Sequence, residues 1–339
     1  MLLREYWTVF AGSTTLAHLF TSVATKMLSA LQILLPVFGL IAAGFACRKS
    51  ATLGPTAASE LNRFVVWLAL PALLFDTMAH ASWQQLYQPA FVMTFALSCA
   101  IVFVFVLALR MAAGRGLADA SVDAIAASYP NTGYIGFPLC LLAFGPASLT
   151  PTTIATILVA CVLFAGAIVL IEIGVQKNEQ SGWRLLLKVI GSLARNPLIA
   201  SPIAGVAVAG LHVTLAPGIE TFLKLLGAAA SPCALVSLGL FLAEKRPSTI
   251  PASRSTLMLS ATKLLVQPAL TWWLAVRVFA LPTMLSHTAV VLAALPTGTG
   301  PYMLAEFYGR EASITSRTIL LSTLGSLVSL SILLVYVRH

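Results

Sequence analysis

The sequence predicts an all-α integral membrane protein: ten transmembrane helices in two inverted five-helix repeats, with the fourth and ninth helices broken. Three observations carry this expectation. The 339-residue chain is 59% hydrophobic and only 9% charged, whereas a soluble domain carries about 25% charged residues. Ten apolar runs approach the roughly 20 residues a helix needs to cross a bilayer. Proline and glycine recur at matching intervals in the two halves.

The runs fall at 28–47, 61–79, 89–111, 122–144, 152–174, 196–212, 219–243, 256–280, 286–307 and 315–337, where a window of about 19 residues stays apolar. The first opens behind Met27 and closes on Arg48-Lys49. The second and seventh carry single prolines, Pro71 and Pro232, read as kinks. The third and fifth are long and uninterrupted, and the sixth opens behind Pro197. The eighth holds Lys263 and Gln267, and the tenth is rich in Ser and Thr. No run alternates with period two, which argues against a β-barrel.

Loop charge supports the count. Fourteen of the twenty Lys and Arg sit in the odd loops: Arg48, Lys49 and Arg63; Arg110 and Arg115; Lys177, Arg184, Lys188 and Arg195; Lys245, Arg246 and Arg254; Arg310 and Arg317. The even loops, near 80–88, 145–151, 213–218 and 281–285, carry none. Positive loops stay cytoplasmic, so the odd loops face inside and both termini face outside. The net charge of +9 is this bias and not a nucleic-acid surface, which needs a clustered basic face.

Residues 1–26 have no counterpart in the repeat. They read as a signal-like segment, an eleventh helix, an interfacial helix, or an over-extended start with Met27 the true first residue. The first repeat is then 27–177 and the second 188–339. In the first helix Pro36 precedes Gly44 by eight residues, as Pro202 precedes Gly210 in the sixth. Leu53-Gly-Pro55 is answered by Leu215-Ala-Pro217. The interval from Pro36 to Pro130 equals that from Pro202 to Pro296, at 94 residues. Five helices per half is odd, so the second half is inverted. Inverted repeats mark secondary transporters, because exchanging the halves' conformations opens a central site to alternate sides.

The fourth helix reads Tyr129-Pro130-Asn131-Thr132-Gly133-Tyr134-Ile135-Gly136-Phe137-Pro138, the ninth Pro296-Thr297-Gly298-Thr299-Gly300-Pro301-Tyr302. Proline removes a donor and clashes with the preceding turn; glycine adds backbone freedom. Pro130, Pro138, Pro296 and Pro301 are therefore expected to break the helices near the bilayer centre. Such breaks survive only where protein or a water-filled cavity covers the freed backbone, and matched interrupted spans point to a substrate site. Its expected residues are Asn131, Thr132, Gly133, Tyr134, Thr297, Gly298, Thr299 and Gly300, whose donors suit a carboxylate.

Asp76 is either a functional intramembrane acid or an interfacial one. Lys263 and Gln267 share one face of the eighth helix and either line a cavity or, for the lysine, snorkel inward. Lys224, Arg277, Glu172 and Glu306 lie near span ends and read as interfacial. No metal-ligand spacing occurs, and the five cysteines form no CxxC pair. No HExxH, paired intramembrane aspartates or Ser–His pairing points to catalysis. No cofactor is expected, and a coupling ion, H+ or Na+, is left open.

The stretch 130–138, with Leu70-Pro71-Ala72-Leu73-Leu74-Phe75 and Leu304-Ala305-Glu306-Phe307-Tyr308-Gly309, resembles the auxin efflux carrier family of bacteria and plants over residues 27–339. The stretch 296–308 is similar to its bacterial malonate-transporter branch. The resemblance implies ten helices in two inverted repeats, the fourth and ninth crossing at their broken centres in mid-membrane. It also implies a small organic anion as substrate, malonate or a related dicarboxylate, moved across a bacterial cytoplasmic membrane, and a homodimer as in some plant members. Carriers of this kind often place asparagine after the proline of the ninth helix; here Thr297-Gly298-Thr299-Gly300 stands instead. The alternatives are a sodium-coupled symporter of bile-acid-carrier type and a channel.

Overall fold

The computed structural model of the protein describes residues 27–175, 191, 197–244 and 254–337. The stretch 1–26 and the loop residues Lys177, Arg184, Lys188, Arg195, Lys245 and Arg246 lie outside them. Among the described residues the regular structure is helical, and the β contact is one isolated antiparallel bridge between Pro130 and Thr297.

Helix α1 spans Met27–Lys49 and α2 Ala57–Ala79. Helix α3, Pro89–Ala112, is entered through one turn at Trp83–Leu86, whose Ser82 and Gln85 cap each other reciprocally. The fourth run is two helices, α4 at Leu117–Ser128 and α5 at Thr132–Phe144. Helices α6, α7 and α8 follow at Pro146–Val175, Pro197–Gly210 and Pro217–Ala243. Helix α9 covers 254–278. The ninth run is also two, α10 at Thr283–Ala293 and α11 at Gly300–Phe307, and α12 is Ala312–Val337.

Among the described residues six helices are long and apolar enough to cross a membrane: α1, α2, α3 with its entry turn, α6, α8 and α12. Helices α5, α7 and α10 are apolar but shorter. Large apolar side chains face outward on these elements; Leu35 and Leu225 are each 72% exposed and Val328 64%. Lipid satisfies such a surface, and water does not. The chain is an integral membrane protein.

Three of the π turns each precede an interior proline. Val65–Ala69 ends two residues before Pro71, Thr132–Gly136 two before Pro138, and Thr262–Val266 two before Pro268. Proline clashes with the carbonyl four residues back, and widening that turn makes room. Pro138 therefore does not break its helix as expected: α5 runs through it to Phe144. Pro301 is the second residue of α11, where a missing N–H has no helical partner to lose. The breaks themselves fall at Pro130 and Pro296. In α8 the irregularity is at Ala229, three residues before Pro232.

Backbones touch where glycine allows it. A Cβ on Gly239 would stand 2.0 Å from the Ile41 carbonyl, one on Gly44 2.2 Å from that of Val236, and one on Gly205 2.5 Å from that of Phe75. So α1 packs on α8 and α7 on α2 through small residues, the packing favoured where lipid offers no hydrophobic drive. These four helices form one group; α3 to α6 and α9 to α12 form another around the two breaks. Gly239→Val is expected to cost roughly 1–3 kcal/mol by overpacking, read as a lower melting temperature in detergent. Gly54→Ala, with open space around it, is expected to shift stability by less than about 0.5 kcal/mol.

Candidate functional site

The two breaks meet. The residue before a proline is pushed out of the helical region, and both Tyr129 and Leu295 precede one. Tyr129 turns to ψ 88° and ends α4. The freed segments then pair: Asn131 N donates to Pro296 O at 2.9 Å, and Gly298 N to Tyr129 O at 3.0 Å. Thr297 N donates to Ser322 Oγ of α12 at 3.1 Å. Backbone groups that neither helix can satisfy are satisfied by each other.

The carbonyl ends of α4 and α10 are capped from α9. Gln267 Nε2 donates to Ser128 O at 3.1 Å. Lys263 Nζ donates to Ala293 O at 2.6 Å. Each acceptor is the last residue of its half-helix, where the helix dipole is negative. Both side chains are fully buried. Their i, i+4 spacing, visible in the sequence, lets one helix face reach both ends.

The amino ends are left to a cavity of about 210 Å³ beside the crossing. Asn131, Thr132, Gly133 and Tyr134 line it from α5 and its entry; Thr299 and Gly300 line it from the start of α11. Asn131 is 5% exposed, and its Nδ2 has no hydrogen-bond partner. The Tyr134 hydroxyl donates to Asn62 Oδ1 on α2 and lies within hydrogen-bonding reach of Thr299. Among the described residues no charged side chain lines the cavity. The first N–H groups of a helix have no intrahelical acceptor and favour anions, so the site presents donors without a fixed cation at its wall.

Six of the eight expected site residues thus come together. Thr297 and Gly298 do not line the cavity; they belong to the crossing beside it. Thr297 is fully buried, and its hydroxyl donates to Ala126 O at 2.8 Å. Gly298 and Gly300 make room for Tyr129, whose ring a Cβ at either position would approach to 2.9 Å. Lys263 and Gln267 lie beneath the crossing rather than in the cavity. Asp76 is elsewhere, at the far end of α2, with Oδ1 3.3 Å from His80 Nδ1. Asn62, Tyr129 and Thr156 line or support the cavity and were not singled out from the sequence. The signal for Asn62 was an amide at the opening of an apolar run.

Thr297→Val is expected to leave the Ala126 carbonyl unpaired and to lower stability by about 1–3 kcal/mol. Thr297→Ser, which keeps the hydroxyl, is expected to retain most of it. Thermal unfolding of the purified variants measures both.

The chain matches the family described as "Membrane transport protein" over residues 29–334. It is 31% identical over 314 residues to a protein of Rhizobium meliloti (strain 1021) described as "Putative malonate transporter", covering 90% of this chain and 95% of that one. It is 32% identical over 157 residues to auxin efflux carrier component 3a of Oryza sativa subsp. japonica, covering 45% of this chain and 25% of the other. A second rice relative, "Probable auxin efflux carrier component 5b", is 31% identical over 164 residues, 47% of this chain and 43% of the other. The chain belongs to this membrane transport family, the auxin efflux carrier family, and is a transporter and not an enzyme.

Proposed function

We propose that the protein is a secondary transporter that moves a small organic anion, malonate or a related dicarboxylate, across the cytoplasmic membrane by alternating access. The observation that carries this reading is the buried, unpartnered amide of Asn131 at a cavity flanked by helix amino ends. A buried donor without a partner costs about 1–3 kcal/mol, a cost that a carboxylate oxygen would remove. Ligand pockets for drug-sized molecules run to about 300–1,000 Å³, so a cavity of about 210 Å³ suits a smaller solute. The malonate relative, matched almost end to end, supports the same class.

The ten-helix, inverted-repeat architecture belongs to this proposal. It is supported by the equal proline intervals and by the packing of α1 on α8 and of α7 on α2. In each case the first helix of one half meets the second helix of the other. The helix pairs α4–α5 and α10–α11 each make one crossing of the membrane, with their breaks at its centre. Arg110, Arg115 and Arg310 gather with Asp119, Asp123 and Glu311 at one end of the molecule. We take this end as cytoplasmic from the loop charge, which places both termini outside. A homodimer is carried over from the resemblance alone, and the mass of the detergent-solubilised particle tests it.

A thermal-shift panel of mono- and dicarboxylates on purified protein tests the function. Malonate or a close relative is expected to raise the melting temperature by mass action. Asn131→Ala is expected to fold and to bind that ligand about tenfold more weakly, the loss of one hydrogen bond to a charged group. If no acid stabilises the wild type, or the Asn131→Ala variant binds as well as wild type, the substrate class or the site is wrong.

A further inference from the structure

Tyr134 lines the cavity, but its hydroxyl is spent on a bond that leads out of it. The O–H donates to Asn62 Oδ1 on α2. Asn62 lies one turn before Val66, which lines the cavity from α2 as Leu70 does. Tyr134 is 8% exposed, whereas Asn62 is half-buried. A phenol carries a single proton. The hydroxyl therefore donates either to Asn62 or to a solute, never to both.

The two acceptors differ in strength. The amide oxygen of Asn62 is neutral. A hydrogen bond to a carboxylate is roughly twice as strong as one between neutral groups. Half-buried Asn62 can pass its Oδ1 to water, and a bridging water costs little. Among the described residues the cavity wall offers no charged side chain, so each carboxylate that enters depends on neutral donors. The free Asn131 amide serves one. Tyr134 stands three residues further on, and residues at that spacing are neighbours on one helix face. The two donors thus lie side by side along the same wall.

We propose that Tyr134 selects dicarboxylates: its hydroxyl leaves Asn62 and donates to the second carboxylate of a solute whose first carboxylate is held at Asn131. Asn62 is a positioning residue that keeps the proton until a charged acceptor displaces it. A monocarboxylate leaves the Tyr134–Asn62 bond closed and gains nothing from the phenol. This inference rests on the organic-anion reading above and assigns the ligand of the second carboxylate.

The test measures calorimetric affinities of purified wild type, Tyr134→Phe and Asn62→Ala. The probes are malonate and succinate, with propionate and butyrate as their one-carboxylate counterparts. Wild type is expected to prefer the dicarboxylates. Tyr134→Phe, which keeps the ring, is expected to bind them about five- to tenfold more weakly, the loss of a charge-assisted bond less the neutral one it replaced. Its affinity for the monocarboxylates is expected to stay as in wild type. Asn62→Ala removes the competing acceptor and is expected to bind the dicarboxylates about threefold more tightly, the gain from no longer giving up a neutral bond. A merely structural role for Asn62 would not tighten binding. Where monocarboxylates bind too weakly to measure, the opposite signs of the two substitutions decide. A Tyr134→Phe variant that binds dicarboxylates as wild type does, or that loses both classes alike, overturns the proposal; so does weaker dicarboxylate binding by Asn62→Ala. Either result with an intact wild-type affinity leaves the organic-anion reading standing. Failure of wild type to bind any of the four acids overturns that reading and the proposal with it.

Discussion

Four helix ends meet at one point of this bundle, and hydrocarbon offers none of them a partner. Everything near the point answers that demand. The two extended segments pair with each other through Asn131 N and Gly298 N. The two carbonyl ends are taken by Lys263 and Gln267. Only the amino ends remain, and a cavity lies against them. The carbonyl ends are thus taken inside the protein, and the N–H groups at the amino ends are left beside the cavity. Helix α12 joins in through Ser322, which explains why small hydroxyl residues such as Thr318, Ser322, Thr323 and Ser326 are buried there. Several of them bond carbonyls of their own helix, so burying them leaves little unsatisfied.

Much of this was legible in the sequence, and the limit is physical. Apolar runs are a one-dimensional signal, and they located the described helices to within several residues. The matched prolines located the crossing. Which proline breaks a helix was not legible, because Pro130 and Pro138 have the same local chemistry. Pro138 is absorbed by a π turn in which Asn131 O accepts from both Ile135 N and Gly136 N at 3.1 Å. Pro130 is matched by a partner strand from a distant part of the chain. Thr297 looked like a ligand because its hydroxyl stands in a broken segment; only the fold shows Ala126 O within its reach. Asn62 and Tyr134 are 72 residues apart, and no periodicity joins them. Lys263 and Gln267 were expected to line a cavity or, for the lysine, to snorkel inward; what they meet instead depends on α4 and α10 arriving together.

The two halves are not equivalent at the crossing. Under the register that pairs Pro130 with Pro296, Lys263 and Gln267 fall opposite Leu97 and Ile101 of α3. Helix α9 therefore supplies both caps, while α3 contributes Ser98, bonded to Thr271 at 2.6 Å, and Cys99, which accepts from Gln267 Nε2 at 3.3 Å. The buried amine and amide of α9 have no counterpart at those two positions of α3.

The clasp between Pro130 and Thr297 is made by main chain on both sides. No side chain need be of any particular kind for its two hydrogen bonds to form, provided the prolines open the helices. Residues facing the cavity are then free to drift while the frame that presents them stays put. A lineage can change what it carries by altering a few amides and hydroxyls around an invariant knot of backbone.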